Sequence, residues 1–179
     1  MRDTTIAKNY AEALIELARR ADDPAGWGKL MRDVAEGMQQ DITVRRFLES
    51  PKVSEAQKVS VLFEAFGDRV PRHFLRFLQT LVRKRRQMLI PEIAVEYDKL
   101  LDVHENRVHA NVTVSRPATA ADEARIADQL SRVIGKTVVP HMIVNPAILG
   151  GVVVKIGDTV MDGSVRRRLA RLKGQMLAR

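Results

Sequence analysis

The chain has 179 residues, which is enough for one ordinary domain or two small ones. It contains no cysteine, so disulfides, zinc–thiolate sites and cysteine nucleophiles are excluded, and without a recognisable secretory signal we expect a bacterial-type cytosolic protein. The net charge of +8 is uneven: residues 1–105 carry 18 basic against 17 acidic side chains, and residues 106–179 carry 12 against 5, so the second half predicts an acidic partner or surface.

Apolar residues at three- and four-residue spacing predict six short helices in residues 1–105. Each start has its own signal, such as the capping box that begins at Ser54 or the proline in the first turn of the second helix. The predicted helices begin, in order, at Thr4 or Thr5, Pro24, Asp41, Ser54, Pro71 and about Leu89. Because the connections are brief, we expect an antiparallel bundle.

The hydrophobic period changes after Glu105, where we place the domain boundary. Residues 108–114 alternate as a half-buried strand does, and a helix is predicted from about residue 121 to residue 134. The next 18 residues, 137–154, carry no charge, but Pro140 and the Gly150-Gly151 pair argue against a membrane helix and for two buried strands around a turn. A last helix from Ser164 gives an α/β domain with the order strand, helix, strand, strand, helix.

The last helix carries two features that need an explanation. Arg166, Arg167 and Arg168 occupy its first turns, where the helix dipole opposes each cation by about 0.3–1 kcal/mol. Asp158 and Asp162 are local candidates for the counter-charge, and an acidic partner is the other. Val165, Leu169, Leu172 and Met176 form a narrow apolar seam. Covering the sheet explains this seam slightly better than binding a partner.

No residue pattern predicts catalysis, a cofactor or a metal site. The four histidines show no metal-ligand spacing, and no phosphate-binding glycine loop is present. The run Arg83-Lys84-Arg85-Arg86 is explained by a solvated turn at the end of a helix, where cations complement the dipole. A nucleic-acid-binding protein that uses the basic C-terminal helix is the alternative function, although residues 106–179 contain no aromatic side chain for base stacking.

Three segments resemble a known family. Asn145–Asp158, followed by Met161–Val165 and Arg168-Leu169, is similar to the C-terminal signature of the delta subunit family of rotary ATP synthase, whose mitochondrial relative is the oligomycin sensitivity conferral protein. Tyr10–Leu14 resembles the first helix of that family, and Phe77–Arg86 with Pro91–Ile93 resembles its fifth helix and the start of its sixth. The resemblance extends over essentially the whole chain.

The resemblance implies a non-catalytic stator subunit of proton-translocating ATP synthase, present in one copy, without a cofactor and bound to no nucleic acid. Residues 1–105 would bind the catalytic head, and residues 106–179 would bind the C-terminal ends of b-type subunits of the peripheral stalk. The protein would be peripheral, on the cytoplasmic face of the bacterial plasma membrane, without inserting into it. The groove that receives the N-terminal segment of an alpha subunit would consist of Tyr10, Ala13, Leu14, Leu17, Phe77, Thr80, Leu81 and Lys84. The stalk-binding residues would be Arg166, Arg167, Arg168 and Arg171.

Overall fold

Two units divide the chain in this computed structural model, which describes residues 2–67 and 69–177. They are Met1–Asp102 and Val103–Arg179, so the division lies three residues before the predicted boundary at residue 105. In the described ranges, no helix is long and apolar enough to cross a membrane.

Six α-helices make up the first unit, as predicted, and their antiparallel order stays a prediction. They are α1 (Arg2–Arg20), α2 (Pro24–Gln40), α3 (Ile42–Glu49), α4 (Glu55–Phe66), α5 (Arg72–Arg83) and α6 (Ile90–His104), with a 3-10 turn at Gln87–Leu89. Two of the predicted caps are in place: Asp41 accepts from the Thr43 N–H at 2.7 Å, and Ser54 and Gln57 form a complete capping box. These side chains satisfy N–H groups that have no partner within the helix. The predicted start at Thr4 or Thr5 was wrong, because α1 already begins at Arg2 and both threonines lie inside it.

The core of the first unit is built around aromatic side chains. Trp27 and Phe74 meet edge to face, with ring centres 5.7 Å apart, and both are buried. Tyr97 is buried as well, and its hydroxyl donates to the Pro24 carbonyl at 2.7 Å, which ties α6 to the start of α2. Each such side chain contributes about 1.5–3 kcal/mol through burial, so the positions of the helices are well determined by packing.

The second unit is a four-stranded mixed sheet with two helices. Its elements are β1 (Arg107–Val114), α7 (Ala120–Ile134), β2 (Thr137–Val144), a 3-10 turn at Pro146–Ile148, β3 (Val152–Ile156), β4 (Thr159–Asp162) and α8 (Val165–Leu177). The strand order is β2-β1-β3-β4, with β1 parallel to β2 and the other pairs antiparallel. The predicted order of elements was wrong in one respect, because it lacked β4. This strand has only four residues, too few for a periodic signal, and a two-residue turn at Gly157-Asp158 folds it back onto β3.

The uncharged run of residues 137–154 does form two strands around a turn, but they do not pair with each other. They flank β1 on opposite sides. Helix α7 covers one face of the sheet, where Val112, Val138 and Val154 are buried. Ile143 and Val144 remain about half exposed, since β2 is an edge strand, so the prediction of two buried strands was only partly right.

Candidate functional site

The residues predicted for the alpha-subunit groove lie on α1 and on α5 with its C-cap, and three of them are buried. Leu14 and Leu81 are fully buried, and Phe77 is nearly so. The ring of Tyr10 meets that of Phe77 edge to face, with centres 6.2 Å apart and planes at 71°. Leu14, Phe77 and Leu81 therefore support this surface from beneath, and other side chains form its exposed part.

Small or flexible side chains form the exposed part of the same surface. Ala13 and Thr80 are exposed, and Tyr10 and Leu17 are half buried against the core. The hydroxyl of Thr80 donates to the Arg76 carbonyl at 2.8 Å, so its proton is not available to a partner. Lys84, the C-cap residue of α5, is exposed. We call these eight predicted residues the α1–α5 groove.

Arg86 contacts Tyr10 of this surface, although a solvated turn was the favoured interpretation of the basic run. Its Nη1 donates to the Tyr10 hydroxyl at 3.3 Å, and its guanidinium carbon lies 5.5 Å from the centre of the Tyr10 ring. A cation over a tyrosine face is attracted by the ring quadrupole. Arg86 thus holds Tyr10 at the edge of the groove, and the 76-residue separation of the two hid this contact from sequence reasoning.

Arg85 explains how the chain turns at the end of α5. It has a left-handed φ of +55°. The Arg86 N–H donates to the Leu81 carbonyl at 2.8 Å, and the Arg85 N–H donates to the Val82 carbonyl at 2.9 Å. This is the Schellman pattern that ends helices, usually with glycine at the left-handed position. The basic run is therefore a helix terminus that aims Arg86 at the groove.

A second apolar surface of the first unit was not predicted. A cavity of about 500 Å³ opens between α2, α3 and α4. At its inner end, Nζ of the buried Lys58 donates to the Leu48 carbonyl at 2.6 Å and to the Ser50 carbonyl at 2.9 Å. Gln87 is buried beside them and donates to Leu48, while its Oε1 has no partner among the described residues. These contacts fasten the α3–α4 connection, and no periodic signal in the sequence announces them.

The predicted stalk-binding arginines lie on α8, which is exposed along its length. None of the residues 165–177 is buried, and Leu172 and Met176 are 54% and 79% exposed. The apolar seam therefore does not cover the sheet, and the slightly favoured sequence interpretation was wrong, because α7 already occupies the face that needs covering. We call the exposed side of this helix the α8 surface; it consists of Arg166, Arg167, Arg168 and Arg171 with the seam Val165, Leu169, Leu172 and Met176.

Local polar contacts anchor the start of α8. The Ser164 hydroxyl accepts from the Arg167 N–H at 3.1 Å, as an N-cap does, and the Ser164 N–H donates to Asp162 Oδ1 at 2.9 Å. Hydrogen bonds from the Ser164 hydroxyl and then from its N–H hold the pKa of Asp162 below its usual value, with smaller help from Arg167 and Arg166. Asp162, one of the two carboxylates predicted as local counter-charges, therefore interacts electrostatically with Arg167 and Arg166.

The positive charges of the α8 arginines are not neutralised by close ion pairs among the described residues. In the part of the chain that the structure describes, Arg166, Arg167, Arg168 and Arg171 make no ion pair within 4.0 Å. An open groove of about 930 Å³ separates β4 from α8, and three of these arginines line it. Its lining residues are Val160, Met161, Asp162, Gly163, Arg167, Arg168, Ala170 and Arg171. One lining carboxylate faces three guanidinium groups, so this surface favours an acidic ligand.

Comparisons with known proteins agree on one family. The sequence profile of the family described as ATP synthase delta (OSCP) subunit matches residues 6–176. A protein named ATP synthase subunit delta from Gemmatimonas aurantiaca is 56% identical over 172 residues, which cover 96% of this chain and 93% of that protein. The protein of the same name from Desulforamulus reducens is 33% identical over 174 residues, covering 97% and 96%.

A solved structure shares the fold. A chain in the cryo-EM structure of the Toxoplasma gondii mitochondrial ATP synthase hexamer superposes with a TM-score of 0.62 at 22% identity, covering 97% of this chain and 98% of that one. At this identity the match shows the arrangement of the fold alone.

Proposed function

The chain belongs to the ATP synthase delta (OSCP) subunit family, and from that membership we propose that its two units provide two separate attachments. It is a non-catalytic stator component of ATP synthase. In our proposal, the first unit binds the N-terminal segment of an alpha subunit in the α1–α5 groove. The second unit binds the C-terminal ends of b-type stalk subunits on the α8 surface. One copy would serve each enzyme, at the cytoplasmic face of a bacterial plasma membrane.

The observation that carries the first attachment is a rigid apolar floor beneath small exposed side chains. Recognition of an amphipathic helix in a groove needs apolar contact and room for close approach of the backbone. Leu14 and Phe77 support the surface from beneath. Half-buried Tyr10 and Leu17 offer the apolar contact, and Ala13 leaves room for close approach. Arg86 keeps the ring of Tyr10 in one position, which reduces the conformational entropy that binding would cost.

The second attachment is supported by an apolar seam and unused positive charge on one exposed helix. A helix without any buried residue has little tertiary support, because most helical stability in proteins comes from packing an apolar face. A partner helix that packs on Leu169 and Leu172 would supply that support, and acidic residues on the partner would meet the arginines. Residues 106–179 carry a net charge of +7, which favours association with an acidic chain.

Filling the groove tests the first attachment. Titration of the full chain with a peptide from the N-terminus of an alpha subunit should show saturable binding by calorimetry, and Ala13→Trp should weaken it at least tenfold, or about 1.4 kcal/mol. Ala25→Trp is the matched control, since Ala25 is also exposed but lies on α2. An equal loss of affinity for the alpha-subunit peptide in both variants, or no binding by the unchanged chain, would contradict the groove assignment.

Charge reversal tests the second attachment. Replacing Arg166, Arg167 and Arg168 by glutamate should weaken binding of a stalk peptide, taken from the C-terminal end of a b-type chain, more than it lowers the free energy of unfolding. If the protein instead bound nucleic acid through the five basic residues of α8, log K against log salt would fall with a slope of about −4.5. The slope for the stalk peptide should be much shallower, because apolar contact contributes part of its binding.

A further inference from the structure

Two histidines meet on the face of the sheet opposite α7. His109 on β1 and His141 on β2 have nearly parallel rings, at 21°, with centres 5.0 Å apart. Nδ1 of His109 lies 2.9 Å from Nε2 of His141. The strand register places His141 opposite Asn111, so the two histidines are diagonal neighbours on one side of the sheet. They are 32 residues apart in the chain, and only the parallel pairing of β1 with β2 brings them together.

The chemistry of this contact makes both rings potential ligands. A hydrogen bond between two imidazoles joins one N–H to one lone pair, so one of the two facing nitrogens carries a proton and the other does not. Both residues are exposed, so ions in solution can reach them. Neutral imidazole is the commonest metal ligand in proteins and suits Zn²⁺ and Cu²⁺ in particular.

We propose that His109 and His141 form a bidentate site for a divalent transition-metal ion, with Nδ1 of His109 and Nε2 of His141 as its protein ligands. Metal–nitrogen bonds of about 2.0–2.1 Å at 90° to tetrahedral angles place two nitrogens about 2.8–3.4 Å apart. The observed separation of 2.9 Å between Nδ1 of His109 and Nε2 of His141 lies in this range, and binding requires the two side chains to rotate so that both lone pairs point at the ion. The proton of the facing N–H moves to the other nitrogen of its ring, and a metal bridge replaces the hydrogen bond.

The surroundings determine which ions fit. Among the described residues, no group of three or more His, Asp or Glu side chains is arranged so that it could hold a metal ion, so the protein supplies two ligands and water completes the shell. Arg107, on the same side of β1, pairs with Glu105 Oε2 at 2.7 Å, and Lys155 lies opposite Asn111 in the register. The positive charges of Arg107 and Lys155 repel a metal ion and so lower the affinity of the site for it. Ions that depend on carboxylate oxygens, such as Mg²⁺ and Ca²⁺, are therefore disfavoured, and ions that bind imidazole strongly are preferred.

A Zn²⁺ titration of the untagged full chain, followed by calorimetry, tests the site. We expect one Zn²⁺ per chain, and His109→Asn or His141→Asn should each weaken binding by about 100-fold, because either change removes the chelate. His73→Asn, an exposed histidine on α5, should leave the affinity unchanged. Cu²⁺ should bind more tightly than Zn²⁺, and affinity should fall on acidification because the ligands must be deprotonated.

Imidazole ¹⁵N NMR of the unchanged chain gives an independent readout that does not depend on the folding of any variant. Saturating Zn²⁺ should shift one nitrogen of His109 and one of His141 together. The proposal is overturned if Zn²⁺ does not bind, if either variant retains the original affinity, or if the ion shifts only one of the two rings.

Discussion

The guanidinium of Arg86 lies 5.5 Å from the centre of the Tyr10 ring and donates to its hydroxyl, joining the turn after α5 to the middle of α1. The same tyrosine packs edge to face on Phe77. Tyr10 therefore contacts both a cation and an aromatic ring of α5. This arrangement links the stability of the first unit to the shape of the proposed groove.

Removing Arg86 should affect both properties. Arg86→Ala should lower the free energy of unfolding by about 1 kcal/mol, since one cation–π contact and one weak hydrogen bond are lost. It should also weaken alpha-peptide binding, because the Tyr10 ring would no longer be held in one position. Urea denaturation followed by Trp27 fluorescence measures the first effect, and calorimetry the second.

Arg83→Ala is the control for this change. Arg83 meets Glu55 at 3.8 Å with both side chains more than half exposed, so its removal should cost less than about 0.5 kcal/mol. Tyr10→Phe keeps the ring and removes the hydroxyl, and combining it with Arg86→Ala separates the two contributions. Equal losses for Arg83→Ala and Arg86→Ala would contradict a special role for the Tyr10 contact.

The left-handed conformation of Arg85 predicts a stabilising substitution. Left-handed backbone costs an ordinary residue about 1–2 kcal/mol, a penalty that glycine avoids while losing more conformational entropy on folding. Arg85→Gly should therefore raise the free energy of unfolding by up to about 1 kcal/mol, measured by urea denaturation. Arg83→Gly, within the last turn of α5, should lower it by about 1 kcal/mol. A decrease for both glycine variants would mean that the Arg85 side chain makes a contact worth more than its strain.

The helices of this protein were predictable because hydrogen bonds between neighbouring residues fix where they begin. Strand β4 has no such local signal, and it was therefore missed. Asp41 and Ser54 accept hydrogen bonds from the first turns of α3 and α4, which is an interaction between neighbours in the chain. Strand β4 depends on a turn at Gly157 and on pairing with β3, and four residues carry too little pattern to reveal it. The exposure of α8 was missed for a different reason: a helical seam has the same spacing whether it faces a sheet or a partner.

Long-range contacts mark the limit of what the sequence could reveal about the candidate sites. The groove residues Tyr10 and Phe77 came from a family resemblance, and their contact is seen only in the fold. Arg86 was interpreted as part of a solvated turn, yet it contacts Tyr10 on another helix. The contact of Lys58 with the Leu48 carbonyl likewise has no signal in the sequence. The His109–His141 pair exists only through the register of two strands.

Buried Lys58 should be important for stability although it carries no predicted function. Lys58→Met keeps the apolar part of the side chain but removes the donor to the Ser50 carbonyl, while Gln87 still donates to Leu48. A fully buried carbonyl that loses its partner costs about 1–3 kcal/mol, and the Ser50 carbonyl is part-buried, so the lower end of this range, about 1 kcal/mol, applies. We expect a loss of this size in urea denaturation. Lys52→Met changes an exposed side chain in the same connection, so its free energy of unfolding should stay within about 0.5 kcal/mol of that of the original protein. A similar free energy of unfolding for the two variants would contradict the assigned role of Lys58.

The lowered pKa of Asp162 predicts acid sensitivity at the start of α8. Because hydrogen bonds from Ser164 favour the charged form, the stabilisation is fully present above the usual value of 3.8 and is lost as pH falls through the lowered pKa of the folded state. Amide NMR of residues 165–177 should show α8 loosening in that acidic range. Asp41 and Asp122 also have a lowered pKa from cap hydrogen bonds, so the rest of the chain should lose stability there as well.

Asp162→Asn distinguishes the local effect from the general one. The amide cannot titrate, so α8 in this variant should respond to acid less steeply than α8 in the original protein. Asp158→Asn removes a charge from the neighbouring turn, and Asp158 makes no hydrogen bond among the described contacts, so this variant should follow the original profile. If the amide signals of α8 depended on pH identically in all three proteins, Asp162 would not be the group that stabilises the start of α8.

Gly151 should be the least replaceable glycine of the second unit. It has a φ of +77°, and a Cβ built there would lie 2.4 Å from the Gly163 carbonyl oxygen, much closer than atoms can approach. The segment is tied to α8 because the Val165 N–H donates to the Gly150 carbonyl at 3.0 Å. Gly151→Ala must therefore shift the backbone and displace the start of α8. Gly135→Ala is a matched control, since Gly135 has a φ of +73° but open space around it, so it bears only the conformational cost of about 1–2 kcal/mol.

The difference between these two variants isolates the close approach of the backbone. In urea denaturation followed by amide NMR of the second unit, Gly151→Ala should lower the free energy of unfolding by at least about 1 kcal/mol more than Gly135→Ala does. This difference is in line with the usual cost of overpacking. It should also weaken binding of the stalk peptide, because the α8 surface would be displaced, whereas Gly135→Ala should bind normally. Equal destabilisation with unchanged stalk binding would show that the contact between Gly151 and Gly163 does not position α8.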